Sequence, residues 1–165
     1  MIAVIGCGNA NRTDDAAGLE VVRLLKDSAP LRGRTDVRLL DAGTDGMAVM
    51  FAARGCTTLI VVDSCRSGAE PGAIFEVPGH EVESRFTPAL NLHEFRWDHA
   101  LYAGRQIYRD AFPKDVTAFL IEAHSVELGC GLTAEVACAV ARAAQKIEAR
   151  IAPASGSGPY AEPPA

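Results

Sequence analysis

Residues 2–18 read IAVIGCGNANRTDDAAG and indicate the fold class. The first part, Ile2–Gly6, is an uninterrupted apolar run that ends in glycine, which is typical of a strand buried on both faces. A polar loop follows, and the next helix is predicted from Asp15 to Ala29, with a buried stripe formed by Gly18, Val21, Val22 and Leu25. A strand, a loop and a helix in this order are typical of an α/β fold.

The same alternation continues along the chain. Further strands are predicted at Val37–Leu40, Leu59–Val62, Ala73–Val77 and Val116–Glu122, and further helices at Gly46–Arg54, Pro88–Phe112 and Ala134–Arg150. We expect an α/β three-layer sandwich, in which a mainly parallel, twisted sheet of about five strands carries helices on both faces. Residues 1–152 are expected to form a single domain, and the Pro/Gly/Ser-rich residues 153–165 a disordered tail.

Composition excludes several classes of function. The 165 residues include 16 Lys and Arg against 21 Asp and Glu, so the chain lacks the basic surface that binds nucleic acid or anionic lipid. No long apolar run predicts a membrane span, and the N-terminus does not resemble a signal peptide. Five cysteines, without a C-x-x-C pair, indicate free thiols. We therefore expect a cytoplasmic protein with no nucleic-acid or membrane partner. A monomer is also expected, although composition does not determine the oligomeric state.

Acidic residues follow two of the predicted strands. Asp15 comes after the first strand and Asp63 directly after the third. Taken separately, Asp15 is expected to cap the first helix together with Thr13 and Asp14, and Asp63 to bond loop amides. Ligands of such sheets bind beyond the carboxyl ends of the strands, so the two carboxylates are also expected to converge. Two converging carboxylates repel and require a shared proton or a cation, which predicts a divalent metal ion between them.

A third ligand, preferably imidazole, would complete such a metal site. The candidates are His80 in a Gly/Pro loop, His93 and His99 in the long predicted helix, and His124 at a strand end. Spacing does not rank His93 above His124, because the chain has no compact H-x-x-x-H or C-x-x-C cluster. The residues alone therefore leave the third ligand open.

Two other chemistries match short motifs. Residues 6–8, G-C-G after a strand, suggest a dinucleotide fingerprint with Asp41 as the ribose-binding acid, but Asn11 stands where the third glycine belongs. Ser64 and Cys65 follow a strand, yet neither has a base at a recognisable spacing, and no G-x-S-x-G motif is present. A small nucleotide-binding enzyme remains an alternative, and structural roles are expected for Ser64 and Cys65.

Five blocks in order resemble the [NiFe]-hydrogenase maturation proteases. They are V-I-G-C-G-N at 4–9 with T-D-D-A-A-G at 13–18, D-A-G-T-D-G-M at 41–47, L-I-V-V-D at 59–63, H-E at 93–94 with A-L at 100–101, and G-C-G-L-T-A-E-V-A at 129–137. The match extends over residues 1–150, and its specificity lies in the ordered set. The stretch 94–99, E-F-R-W-D-H, departs from the smaller and less charged residues of the family.

The resemblance implies a metal-dependent endopeptidase that removes the C-terminal peptide of a nickel-loaded [NiFe]-hydrogenase large-subunit precursor. The implied metal ligands and catalytic residues are Asp15, Asp63 and His93. The implied substrate-binding residues are Asn9, Asp41 and Thr44. The divalent metal would be nickel carried by the substrate, with zinc as a surrogate. The departures at 94–99 keep a second hypothesis open, a non-catalytic maturation chaperone that recognises the nickel-containing client.

Overall fold

The computed structural model describes residues 1–85 and 95–152, so the predicted tail at 153–165 lies outside the described residues. The strands are β1 (Ile2–Cys7), β2 (Val37–Gly43), β3 (Thr58–Cys65), β4 (Ile74–Pro78) and β5 (Asp115–Glu122). The helices within these ranges are α1 (Ala17–Asp27), α2 (Gly46–Ala53), α3 (Gly79–Val82), α4 (Trp97–Tyr108) and α5 (Ala134–Ile151). In the part of the chain that is described, no helix combines the length and hydropathy that a membrane span requires.

The five strands form one sheet in the order β2-β1-β3-β5-β4. Neighbouring strands are parallel except for β4, which pairs antiparallel with β5 at the edge. In the centre, Ile5 of β1 pairs with Leu40 of β2 on one side and with Val61 of β3 on the other. The predicted five-stranded, mainly parallel α/β sheet is confirmed. Because β1 and β3 are adjacent, the loops that follow them lie side by side.

Helices cover both faces of the sheet. Ala3, Ile5 and Leu59 pack in one core with α2 and α4, and Val4 and Ile60 pack in a second core with α1 and α5. Successive residues of a strand point to opposite faces, so a strand covered on both sides needs apolar residues throughout. This requirement explains the continuous apolar runs in β1 and β3, and the predicted three-layer arrangement is confirmed.

The helix predicted over 88–112 is interrupted. Residues 86–94 lie outside the described residues, and the helix α4 begins only at Trp97. Before it, Arg96 is extended, with φ −91° and ψ 173°. After it, Arg109 adopts a φ of +49°, which an α-helix does not accommodate. The prediction of one continuous helix over this range is therefore wrong. The apolar pattern on which it is based extends across Arg96 and Arg109, whose backbone is not α-helical.

The first helix begins later than predicted. Residues 13–16 form a single 3₁₀ turn, and α1 starts at Ala17. Among the residues that the structure describes, no side chain caps either element, so the capping role expected of Thr13, Asp14 and Asp15 is wrong. The Asp14 carboxylate instead accepts the backbone N–H of Ser125, far along the chain, at 2.9 Å. A cap and a long-range anchor use the same residue types, so the sequence pattern could not separate them.

Candidate functional site

A cavity of about 250 Å³ opens at the carboxyl ends of the central strands. It is bordered by the loops after β1 and β2, by the end of β3 and by the beginnings of α2 and α4. The described residues that line it are Cys7, Gly8, Asp15, Gly43, Thr44, Asp45, Gly46, Asp63, Arg96 and Trp97. This is the edge at which parallel α/β sheets bind their ligands.

Asp63 is the most buried acid of this cavity, with 6% of the residue exposed. Its Oδ1 atom accepts the backbone N–H of Ser64 at 2.8 Å, and its Oδ2 atom accepts the indole N–H of Trp97 at 2.7 Å. The Nη2 atom of Arg96 lies 3.8 Å from Oδ2. A carboxylate oxygen can accept more than one partner, so both oxygens retain capacity for a cation.

Ser64 links Asp63 to the second acid of the cavity, Asp15. The hydroxyl of Ser64 donates to Asp15 Oδ1 at 2.8 Å, while its backbone N–H donates to Asp63. The other oxygen of Asp15, Oδ2, accepts the backbone N–H of Asn9 at 3.1 Å. The structure therefore brings Asp15 and Asp63 together at one cavity, with a single serine bonded to both.

Gly8 allows the loop after β1 to lie directly against Asp15. Its φ of +131° is in the region that favours glycine, and a Cβ atom at this position would lie 1.8 Å from the Asp15 carbonyl oxygen. The same Cβ atom would lie 3.7 Å from Asp63 Oδ1. The second glycine of the G-C-G motif is therefore required by the close packing around the two acids.

The pKa of Asp63 is raised to about 6, chiefly by burial and further by the nearby Asp15 charge. The hydrogen bonds from Trp97 and Ser64 and the charge of Arg96 oppose this rise, because they favour the ionised carboxylate. Two neighbouring acids, one of them poorly stabilised as an anion, form a donor set that fits a divalent cation.

Of the three carboxylates that line the cavity, Asp45 caps α2 by accepting the backbone N–H groups of Met47 and Ala48, which leaves Asp15 and Asp63 as candidate metal ligands. Within residues 1–85 and 95–152, no group of three His, Cys, Asp or Glu side chains could hold a metal ion. His80, His99 and His124 do not line the cavity. His93 lies outside the described residues. The set of Asp15, Asp63 and His93 as metal ligands therefore stays a prediction.

The three predicted substrate-binding residues differ in position. Thr44 lines the cavity, whereas Asn9 and Asp41 do not. Asp41 is exposed, and its Oδ1 atom accepts the backbone N–H of Gly43 at 2.9 Å. The Oδ1 atom of Asn9 accepts the backbone N–H of Asn11 at 3.0 Å. Asn9 and Asp41 thus shape the loops that border the cavity, and their contact with a substrate stays a prediction.

The thiols near the cavity are poor nucleophiles. Burial, followed by the charge of Asp63, raises the pKa of Cys7 well above its ordinary value. Burial and the hydrogen bond to Glu122 raise the pKa of Cys65 to about 12. Both thiols stay protonated at neutral pH, and the thiolate is the nucleophilic form. The structural roles expected for Ser64 and Cys65 stay a prediction.

The loop after β1 is not arranged as a phosphate cradle. The backbone N–H groups of residues 8, 9, 11 and 12 all donate to oxygen atoms within the protein. A phosphate site at such a loop needs free N–H groups, and the carboxylate of Asp15 beside it would repel an anion. These bonds count against the alternative of a nucleotide-binding enzyme.

Sequence patterns do not identify Trp97 or Arg96 as site residues. Both lie in the stretch 94–99, which departs from the residues expected in the resembled family, and Trp97 is the one tryptophan of the chain. That departure is the only signal, and it does not indicate a partner. The bond between Trp97 and Asp63 joins residues that are 34 positions apart, a separation that no local periodicity covers.

Comparison with known proteins assigns the chain to a family. The family profile described as hydrogenase maturation protease matches residues 19–150. The chain belongs to this family. The hydrogenase 2 maturation protease of Escherichia coli (strain K12) is 30% identical over 151 residues, which cover 91% of this chain and 90% of the relative. The coenzyme F420 hydrogenase subunit delta of Methanothermobacter thermautotrophicus is 32% identical over 158 residues, which cover 88% and 91%.

Solved structures agree with the family assignment. The hydrogenase maturating endopeptidase HybD from E. coli matches with a TM-score of 0.76 at 29% identity, over 91% of each chain. The solution structure of an endopeptidase from E. coli matches with a TM-score of 0.73 at 30% identity, over 88% of each chain. The predicted resemblance and the classification as a hydrogenase maturation endopeptidase are confirmed.

Proposed function

We propose that this hydrogenase maturation protease removes the C-terminal peptide from a nickel-loaded [NiFe]-hydrogenase large-subunit precursor. The proposal is carried by the pair of Asp15 and Asp63, which a single serine joins at the one edge of the sheet suited to ligands. The names of two E. coli proteins, a hydrogenase 2 maturation protease and a hydrogenase maturating endopeptidase, support this substrate class. A cytoplasmic, monomeric protein is part of the same proposal.

In this proposal the nickel of the precursor is bound by Asp15, Asp63 and His93. Two carboxylates and an imidazole suit Ni²⁺, with Zn²⁺ as a surrogate, and leave coordination positions open for the scissile carbonyl or a water molecule. Such an ion polarises a carbonyl and lowers the pKa of a bound water. Thr44, with Asn9 and Asp41 in the adjoining loops, contacts the peptide. Recognition of nickel explains why only a loaded precursor would be processed.

Incubation of the purified protein with a nickel-loaded precursor tests the proposal. Intact-mass spectrometry is expected to show loss of the C-terminal peptide, whereas the nickel-free precursor keeps its mass. Asp63→Asn and His93→Ala are expected to slow cleavage by on the order of 100-fold or more. The matched controls Asp27→Asn and His80→Ala change exposed side chains and are expected to cleave normally. An unchanged mass with every hydrogenase precursor tried would contradict the proposal.

A second candidate function is recognition of the nickel-containing client without cleavage. Arg96 already places a cation 3.8 Å from Asp63, which weakens the demand of that carboxylate for a metal. In addition, the Methanothermobacter relative is named as a hydrogenase subunit and not as a protease. This function predicts that client and protein purify together as a stable complex, with no change in the mass of the client.

A further inference from the structure

We propose that Trp97 is a positioning residue, which holds the Asp63 carboxylate in the orientation that binds the metal of the substrate. The proposal rests on the proposed function, because it takes Asp63 as a ligand of the precursor's nickel. Trp97 acts through its hydrogen bond to Asp63. Neither the family profile nor the names of the relatives assign a role to this residue.

The bond between the two side chains is short and shielded from water. The indole Nε1 atom of Trp97 is 2.7 Å from Asp63 Oδ2, and the two residues are 7% and 6% exposed. A charged acceptor makes such a bond stronger than one between neutral groups. The backbone N–H of Ser64 holds the other oxygen at 2.8 Å. Two donors on different oxygens restrict rotation of the carboxylate, whereas Ser64 alone would leave it free to turn.

The position of Trp97 depends on a close contact between α2 and the segment before α4. A Cβ atom on Gly46 would lie 2.4 Å from the Phe95 carbonyl oxygen and 2.7 Å from that of Arg96. Only glycine at the start of α2 therefore allows this segment to pack so closely. Trp97 is the first residue of α4 and directly follows this segment, so the contact determines the position of the indole ring.

Arg96 also approaches Asp63 but provides little directional restraint. Its Nη2 atom is 3.8 Å from Asp63 Oδ2, its Nε atom is 3.6 Å from Asp98 Oδ1, and its side chain is 67% exposed. Both distances exceed that of a hydrogen bond, and an ion pair made by an exposed side chain is weak and screened by solvent. Orientation of the Asp63 carboxylate is therefore assigned to the indole N–H.

Because Trp97 is the one tryptophan in the chain, a tryptophan analogue supplied during expression replaces this residue alone. β-(3-Benzothienyl)alanine exchanges the ring N–H for sulfur and keeps the bicyclic shape. Fluorotryptophan keeps the N–H and serves as the matched control. Trp97→Phe is a second variant that also removes the donor, and thermal unfolding of all three proteins reports whether packing is preserved.

Three quantities are measured on each 165-residue protein. They are the Kd for Zn²⁺ by calorimetry, the ¹H–¹⁵N amide resonance of Ser64, and the KM for a nickel-loaded precursor. Loss of the indole N–H is expected to raise Kd and KM by on the order of 10- to 100-fold. The Ser64 resonance is expected to move, because its acceptor carboxylate reorients. The unfolding midpoint of the benzothienyl protein is expected to stay within about 4 °C of the control.

A benzothienyl protein with the same Kd and KM as the fluorotryptophan protein would overturn the positioning role. If the fluorotryptophan control binds no measurable Zn²⁺, the Ser64 resonance decides. An unchanged resonance in the benzothienyl protein would overturn the positioning role, and a shifted resonance would support it. If neither protein cleaves any precursor while the two Kd values differ as expected, the positioning role stands and the proteolytic function fails. If both cleave with equal KM, the proteolytic function stands and the positioning role fails.

Discussion

At the scale of single residues, the site is organised around Asp63, a buried carboxyl group whose ionised form is poorly stabilised. Burial raises the pKa of Asp63 to about 6, and the charge of Asp15 adds to this effect. Trp97, Ser64 and Arg96 offset part of the cost of ionisation. Asp63 therefore changes from its protonated to its ionised form as pH rises through about 6. Only the ionised form is a metal ligand.

Metal binding is expected to depend on pH through Asp63. Below a pH of about 6 a proton occupies the carboxyl group and competes with the ion, so affinity for Zn²⁺ should fall at least about tenfold per pH unit. Above that pH this dependence is lost. Calorimetric titration with Zn²⁺ at several pH values measures the effect. An affinity that does not change across this range would show that Asp63 is not a ligand.

Ser64→Ala tests the link between the two acids. The variant loses the hydroxyl that donates to Asp15 but keeps the backbone N–H that donates to Asp63. We expect the Kd for Zn²⁺ to rise about tenfold and the free energy of unfolding to fall by about 0.5–1.5 kcal/mol. Calorimetry and urea denaturation measure the two changes.

Ser28→Ala is the matched control for the Ser64 variant. Among the described residues, the buried hydroxyl of Ser28 has no hydrogen-bond partner. Its removal should therefore leave Zn²⁺ binding unchanged and should not lower stability. Equal behaviour of the two serine variants would contradict a linking role for Ser64.

At the scale of elements, two close contacts position parts of the site. A Cβ atom on Gly18 of α1 would lie 2.2 Å from the Val62 carbonyl oxygen and 2.4 Å from that of Cys7. This glycine lets α1 lie directly on β1 and β3, and Asp15 is in the turn that leads into α1. Gly46 has the corresponding role for α2 and the segment before α4. The position of Asp15 therefore depends on Gly18, and that of Trp97 depends on Gly46.

Gly46→Ala is expected to disturb both stability and the site. The added Cβ would clash with backbone atoms of Phe95 and Arg96, which cannot move without displacing Trp97. Overpacking of this kind costs about 1–3 kcal/mol. Denaturation measures the loss, and the fluorescence of the one tryptophan reports the displacement.

Gly55→Ala separates the clash at Gly46 from a general loss of stability. A Cβ atom on Gly55 meets nothing within 4 Å, but its φ of +77° disfavours other residues. This variant is expected to lose about 1 kcal/mol of stability through backbone strain and to keep the wild-type fluorescence and Zn²⁺ affinity. Unchanged fluorescence in Gly46→Ala would refute the proposed contact between the elements.

At the scale of the whole molecule, two further buried acids connect distant loops. Asp14 accepts backbone N–H groups of His124, Ser125 and Thr133, and the Thr133 hydroxyl. Burial of Asp14 disfavours its ionisation, but these hydrogen bonds outweigh it and lower its pKa. Glu122 accepts bonds from Ser67, Gly68 and Cys65. Because both acids are stabilised as anions in the fold, their protonation should weaken it.

Acid unfolding is expected to depend on Glu122. The backbone N–H of Ser67, followed by other donors, lowers the pKa of Glu122 from 4.5 to about 2, although burial opposes the shift. Since the folded pKa is below the unfolded one, this contribution is present above 4.5 and is lost as pH falls towards about 2. Asp63 has the opposite sign, because its raised pKa favours the fold at low pH and this contribution is lost as pH rises through about 6.

Glu122→Gln should make the free energy of unfolding depend less on pH in the acid range. The amide cannot accept at both atoms, so stability at neutral pH should fall by about 1–3 kcal/mol, while the decrease towards low pH becomes smaller. Glu127→Gln, at an exposed position, is the control. Urea denaturation across the acid range measures both. A variant with the full acid dependence of the wild type would contradict this role for Glu122.

The sequence by itself determined the sheet, its parallel character and the edge where the two acids meet. Strands buried on both faces must be apolar throughout, and helices on a sheet must carry an apolar stripe, so both patterns are visible in the residues. The convergence of Asp15 and Asp63 followed from the same rule, because the carboxyl ends of adjacent parallel strands share one edge.

Only the tertiary structure decided which groups hold Asp14, Asp15 and Asp63. The bonds from Trp97 to Asp63, from Ser64 to Asp15 and from His124 to Asp14 join residues 34, 49 and 110 positions apart. Local periodicity extends over a few turns of helix or a few residues of strand, so it contains no information on such pairs. These pairs depend on how closely the helices approach the sheet. Glycines at the contacts permit the close approach, and packing of the two hydrophobic cores stabilises it.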